Sequence, residues 1–186
     1  MKTFYIIPWF RHDENTAGYK ELSSILQSKW YEVVFIKISW NFNVMSDYIK
    51  QAALQIQNTK NVEILGFSFG AMIALKLSEE YSFHRVFLCS LSPYFSEDLH
   101  LFPKYYKLRL WLRRWNDFRD NYHEADILNT HKNAFVSVHG LDESERLQKR
   151  VEKMVEILNI QETARVDWVW HDIAHRKYQE AIIWLL

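Results

Sequence analysis

In Gly66-Phe67-Ser68-Phe69-Gly70 one serine stands between two glycines, with an apolar strand-like run before it (62–65) and helix formers after it (71–77). A serine at the tip of a sharp strand-to-helix turn has its hydroxyl pushed out of the fold, where it can serve as a nucleophile. Gly66 and Gly70 carry no Cβ, as two backbone arms that double back on each other require. The Phe69 amide, at the start of the helix, would point toward negative charge developing beside the serine. The plain alternative is a structural serine in an ordinary loop, and the partners available to Ser68 decide between the two.

A serine hydroxyl becomes reactive when a neighbouring base takes its proton and a carboxylate holds that base in the right tautomer. In parallel sheets such groups gather beyond the carboxyl ends of the strands. After the strand-like run 134–139 comes Gly140-Leu141-Asp142-Glu143, which makes Asp142 the candidate acid with Glu143 one position behind it. After the run 165–171 comes Asp172-Ile173-Ala174-His175, which makes His175 the candidate base. Ser68, Asp142 and His175 follow one another in the order expected for this constellation. His171 and His175 are also spaced like the pair in the helical zinc motif His-Glu-x-x-His. That motif needs one continuous helix, a glutamate and a third ligand, whereas His171 reads as the end of a strand and Asp172 is the shorter acid, so no metal site is expected. His139 reads as a structural residue at a strand end. His12, His84, His100, His123 and His131 read as surface or loop residues.

The elements that must position these groups alternate. Strand patterns cover 3–7, 32–38, 62–65, 85–91, 134–139 and 165–171, with helical patterns at 19–30, 46–56, 71–81 and 176–186. The alternation predicts an α/β fold: a three-layer sandwich with a mostly parallel six-stranded sheet and helices on both faces. The region of about 93–131 lacks strand character and predicts a helical insertion. Its residues Leu108, Trp111, Leu112 and Trp115 share one helical face, and Lys104, Lys107, Arg109, Arg113, Arg114 and Arg119 make it locally basic. It reads as a solvated helix packed by its aromatic stripe, or as a lid over the serine.

With these motifs in place, essentially the whole chain (3–186) resembles the α/β-hydrolase family, in a compact version without the first two strands of larger members. The resemblance rests on 66–70, on His139-Gly140-Leu141-Asp142, and on His175 before a closing helix. It implies one domain, a sheet ordered 2-1-3-4-5-6 by appearance, and hydrolysis of a small acyl ester or thioester through an acyl-serine intermediate, with no cofactor. Two positions depart from the family pattern. Where the family has His-Gly after its first conserved strand, this chain has Pro8-Trp9-Phe10. Proline has no amide to offer, so the second oxyanion donor beside Phe69 would be Phe10, or failing that Trp9, whose ring would also crowd the pocket. The family also leaves two residues between the glycine and the acid. Strict counting therefore selects Glu143, while the family's more frequent use of aspartate selects Asp142. A binding module without catalysis, or an acyltransferase using the same residues, are the competing classes.

Composition narrows the partners. The chain has 186 residues, with 23 basic and 23 acidic side chains that cancel, so no global charge points to nucleic acid. Its single cysteine, Cys89, excludes an internal disulfide and suits a reducing compartment. Cys89 itself reads as a small apolar residue in a buried strand. The apolar run 4–10 is too short for a signal-peptide core or a membrane span, so a cytoplasmic protein acting on a small-molecule acyl substrate is the expectation.

Overall fold

The computed structural model describes residues 1–41, 43–57, 59, 61–92, 95–101, 112–129 and 133–186. Strands β1 (Lys2–Ile7), β2 (Tyr31–Phe35), β3 (Val62–Phe67), β4 (Arg85–Cys89), β5 (Ala134–Gly140) and β6 (Glu162–Val166) form one six-stranded sheet in the order β2-β1-β3-β4-β5-β6. Every neighbouring pair is parallel. The helices are α1 (Tyr19–Ser28), α2 (Met45–Ala53), α3 (Phe69–Glu80), α4 (Leu112–Asn121), α5 (Glu145–Ile157) and α6 (Arg176–Trp184). Short 3-10 turns run over Ser96–Leu101 and Glu124–Asn129.

Alternation along the central strands divides the core in two. Tyr5, Ile7, Ile64, Val86 and Leu88 face α2, α3 and α5. Phe4, Ile6, Leu65, Phe67, Phe87 and Cys89 face α1 and α6. β3 is buried along its whole length, as a central strand covered on both faces must be.

Two sequence expectations are corrected. The last strand is Glu162–Val166 rather than 165–171. The alternation of Val166, Trp168, Val169 and Trp170 imitates a strand, but Trp168 takes a positive φ (63°) that breaks the extended chain. Residues 167–175 are therefore a long loop above the sheet. The helix α5 was not anticipated, because its interior-facing residues include Arg150 beside Val151 and Met154. Of the expected insertion, Leu108, Trp111, Lys104, Lys107 and Arg109 lie outside the described residues. Leu112 is exposed, and Trp115 and Phe118 pack against the α2–α3 core.

Arg150 anchors part of that insertion. Its guanidinium pairs with Asp98 and, at 2.7 Å, with Glu124, and stacks 4.8 Å from the Phe95 ring centroid. Burial pushes the Asp98 carboxyl above its usual range, with Arg150 pulling the other way. Arg150→Met would leave buried carboxylates without their cation and should cost about 3–5 kcal/mol at pH 7. An acid whose folded pKa lies above its unfolded value binds its proton more tightly in the folded state, so stability falls as pH rises through that window. The loss should therefore shrink at about pH 5. Denaturant unfolding at the two pH values checks this, and a pH-independent loss would assign the effect to packing alone.

The approach of α3 to β1 is equally constrained. A Cβ added at Gly70 would strike the Ile7 carbonyl oxygen, and one at Gly66 would strike the Gly70 carbonyl. Both obstacles are backbone and cannot swing aside. Gly70→Ala should thus destabilise the protein by about 3 kcal/mol or more, seen as a drop in the urea midpoint. An unchanged midpoint would mean that the two backbones are free to part.

Candidate active site

Ser68 stands between β3 and α3 with φ 58° and ψ −108°. This left-handed conformation is costly for a residue with a Cβ, on the order of 1–3 kcal/mol, and persists only where the surroundings enforce it. The enforcement is visible: the Ser68 amide donates to the Cys89 carbonyl at 2.8 Å, while its own carbonyl accepts from Ala71 and Met72 at the start of α3. The backbone is thus pinned on both sides. The Ser68 hydroxyl lies 2.8 Å from the Ser92 hydroxyl.

Of the two candidate acids, Glu143 is the one turned inward. It is buried, 5% exposed, whereas Asp142 is exposed and uses its backbone amide to bond the Val169 carbonyl at 3.2 Å. Glu143 Oε1 accepts from the Ser90 hydroxyl and from the Gly140 amide at 3.3 Å. Ser90 in turn lies 2.6 Å from the Tyr178 hydroxyl, which donates to the Val138 carbonyl at 2.8 Å. The strict glycine-to-acid count selects the same residue, Glu143.

The imidazole facing Glu143 is His171, with Nδ1 3.6 Å from Oε1. Its ring packs 4.9 Å from Phe67, the residue before Ser68, and edge-on to Trp9 at 5.1 Å. His175 sits four residues further on, at the N-cap of α6. Its carbonyl accepts from Tyr178 and Gln179, and its half-buried ring leaves Nδ1 without a partner. The structure therefore brings the Ser68 turn, Glu143 and His171 together at one rim of the sheet, while Asp142 faces solvent and His175 caps α6. Once β6 ends at Val166, His171 belongs to the loop, as His175 does, instead of to the strand. Close contact between the two loops is allowed by Gly140, where a Cβ would strike the Val169 carbonyl.

The segment after β1 lies over the same turn. The Trp9 amide is occupied, donating to the Tyr19 hydroxyl at 2.8 Å. The Trp9 ring walls the imidazole. The Phe10 amide donates to no group among the described residues. The Phe10 ring packs 5.5 Å from Phe69, with the Arg11 and Arg114 guanidiniums stacked over it at 5.2 and 5.6 Å. His12 stacks on Trp9, and burial lowers its pKa below the usual imidazole value. Burial does the same at His139, beneath Glu143, and pushes the Cys89 thiol well up, as an inert buried cysteine requires. Among the described residues no group of three His, Cys, Asp or Glu side chains could hold a metal ion, and no helix is long and apolar enough to cross a membrane.

Ser90, Tyr178 and Ser92 were not singled out from sequence for any role in the site. Single hydroxyls in apolar surroundings have no spacing signature, although Ser92-Pro93 does mark the end of a strand pattern.

No family model matches the chain, and no curated protein matches it by sequence. Solved structures do. Est1E from Butyrivibrio proteoclasticus aligns with TM-score 0.78 and 10% identity over 99% of this chain and 88% of that one. The alpha/beta hydrolase domain-containing protein 10 from mouse aligns with TM-score 0.70 and 10% identity over 97% and 86%. An inhibited esterase B from Lactobacillus rhamnosis aligns with TM-score 0.70 and 16% identity over 98% and 73%. At such identities the likeness is one of architecture, and it agrees with the strand order, the strained serine turn and the rim where the acid and imidazole meet: the chain has the α/β-hydrolase fold.

Proposed function

We propose that the protein is a serine hydrolase acting on a small acyl ester or thioester, with Ser68 as nucleophile, His171 as general base and Glu143 as the orienting acid. The observation that carries this reading is the His171 ring. It is held between Trp9 and Phe67 beside the nucleophile turn, with one nitrogen toward a buried carboxylate. A histidine gripped in that way has its other nitrogen available for a serine proton. The 3.6 Å separation is an ion-pair distance, of the kind that tightens when substrate binds.

In the first step the Ser68 oxygen bonds the substrate carbonyl carbon and its proton passes to His171. The resulting imidazolium is stabilised by Glu143. Collapse of the tetrahedral species breaks the bond to the alcohol or thiol, which takes the proton from His171. Water then repeats the sequence on acyl-Ser68 and releases the acid. The Phe69 and Phe10 amides would hold the oxyanion. The insertion would supply one wall of the site, since Arg114 of α4 stacks on Phe10. An esterase among the structural neighbours supports the reaction class.

A fluorophosphonate probe should label the protein covalently, and Ser68→Ala should abolish the labelling. His171→Ala should slow ester turnover by about 10³-fold or more, and Glu143→Gln should also be severe. His175→Ala and Asp142→Asn should stay within about tenfold of the parent. The opposite ranking would restore Asp142 and His175 as the working pair.

One observation favours the binding-module reading, namely that the Trp9 amide is already taken by Tyr19 and so cannot serve an oxyanion. Folded protein that resists the probe between about pH 6 and pH 9 would select it. Acyl transfer would show instead as mixed products when alcohols or thiols compete with water.

A further inference from the structure

Ser92 lies beyond β4, 3% exposed, and the Ser68 hydroxyl 2.8 Å away is its side chain's partner among the described residues. Burying a hydroxyl against a nucleophile has a consequence for protons. The two oxygens carry one proton each. If His171 is to receive the Ser68 proton, that proton must point at the imidazole. The hydrogen that fills the 2.8 Å contact then belongs to Ser92.

We infer that Ser92 is a catalytic donor. Its O–H holds the Ser68 oxygen in the resting site and stabilises the negative charge that grows there and then on the carbonyl oxygen two bonds away. The inference rests on the serine-hydrolase reading above. The need for such a donor is visible on the other side of the turn. Pro8 has no amide and the Trp9 amide is occupied, so residues 8–10 offer the oxyanion only the Phe10 N–H. In the sheet, β3 runs between β1 and β4. The segment after β1 therefore reaches the nucleophile from one side, and Ser92, after β4, reaches it from the other. A side-chain hydroxyl there adds to the Phe69 and Phe10 amides a donor held 2.8 Å from the Ser68 oxygen. The competing assignment has Ser68 donating to Ser92, which would hold the nucleophile away from its base.

The test is steady-state hydrolysis of p-nitrophenyl butyrate by the full chain and its Ser92→Ala, Ser92→Thr and Ser92→Cys variants, with thermal unfolding of each. Ser92→Ala should lower kcat by about 10²-fold, the usual effect of losing one oxyanion donor, with KM within about threefold of the parent. Ser92→Thr, which keeps the hydroxyl, should recover most of the rate. Ser92→Cys fills the same space with a weak donor and should stay slow, so it carries the test if the alanine variant fails to fold. An unchanged or raised kcat in folded Ser92→Ala or Ser92→Cys would overturn the inference, and a raised one would favour the holding contact. A threonine variant that is folded yet as slow as alanine would also overturn it. Fluorophosphonate labelling of the parent protein is scored beforehand. Its absence would remove the hydrolase reading, and this inference with it, before any Ser92 variant is measured.

Discussion

The site depends on backbone meeting backbone with nothing between. α3 can begin immediately after β3 only if its first turn comes down onto the end of β1, and the Ile7 carbonyl occupies the space that a Cβ on residue 70 would need. That approach bends the chain into the left-handed conformation of Ser68. It also sets the segment 8–10 across the Ser68 turn. The same kind of contact recurs where Gly140 meets Val169 and where Gly18 meets Ala174, fastening the 167–175 loop to its neighbours. The chain contains four glycines in 186 residues, and each one sits at such a junction. Steric economy at these points, more than any polar contact, brings β1, the serine turn, the acid turn and the histidine loop to a common rim.

A buried carboxylate is the second constraint. A buried carboxylate such as Glu143 needs donors around it. Ser90 and the Gly140 amide supply them, and His171 stands ready to supply a third. Ser90 does so from a strained backbone of its own, φ 50°, and is backed by Tyr178 from the closing helix. The acid is thus oriented by the core. Trp9 and Phe67 orient the imidazole by shape alone. A glutamate suits this arrangement because its longer side chain can start from the outer turn after Gly140 and still reach in beneath His171. The aspartate one position earlier faces solvent.

Much of this was legible in the amino-acid order, and the limits have physical causes. The serine turn was readable because glycines are rare here and flank a strand–helix junction. The sheet order was an implication of the family resemblance that those motifs carry. The acid was narrowed to two adjacent residues, and only burial separates them: a one-residue step in a turn exchanges solvent for core, and no periodicity records that. The choice of His175 over His171 came from reading β6 too late in the chain. That strand, Glu162–Val166, is at the sheet edge and mostly polar, so it looks less like a strand than the alternating Trp168, Val169 and Trp170 behind it. Both tryptophans are largely exposed, 78% and 73%, and the apolar rhythm therefore belongs to a loop. α5 went unseen because its buried face contains an arginine whose ion-pair partners lie 52 and 26 residues away.

The rim is better understood as an extension of the sheet than as a set of loops placed upon it. The amide of Ser68 bonds Cys89, the amide of Ser90 bonds Val138, and the amide of Leu141 bonds Val166, each at 2.8–2.9 Å. These are the next rungs of the β3–β4, β4–β5 and β5–β6 ladders, made by the residues just past each strand. Ser68 and Ser90 then turn into left-handed backbone. The turn lifts one hydroxyl toward Ser92 and aims the other at Glu143. Strand register thereby fixes the spacing of Ser68, Ser90 and the turn that carries Glu143, since a slip of one residue in any pair would turn those side chains to the opposite face. Groups held by regular structure keep their geometry more closely than groups on free loops. In this chain residues 167–175 bring His171 to the same rim without strand pairing, and Trp9 and Phe67 hold its ring there.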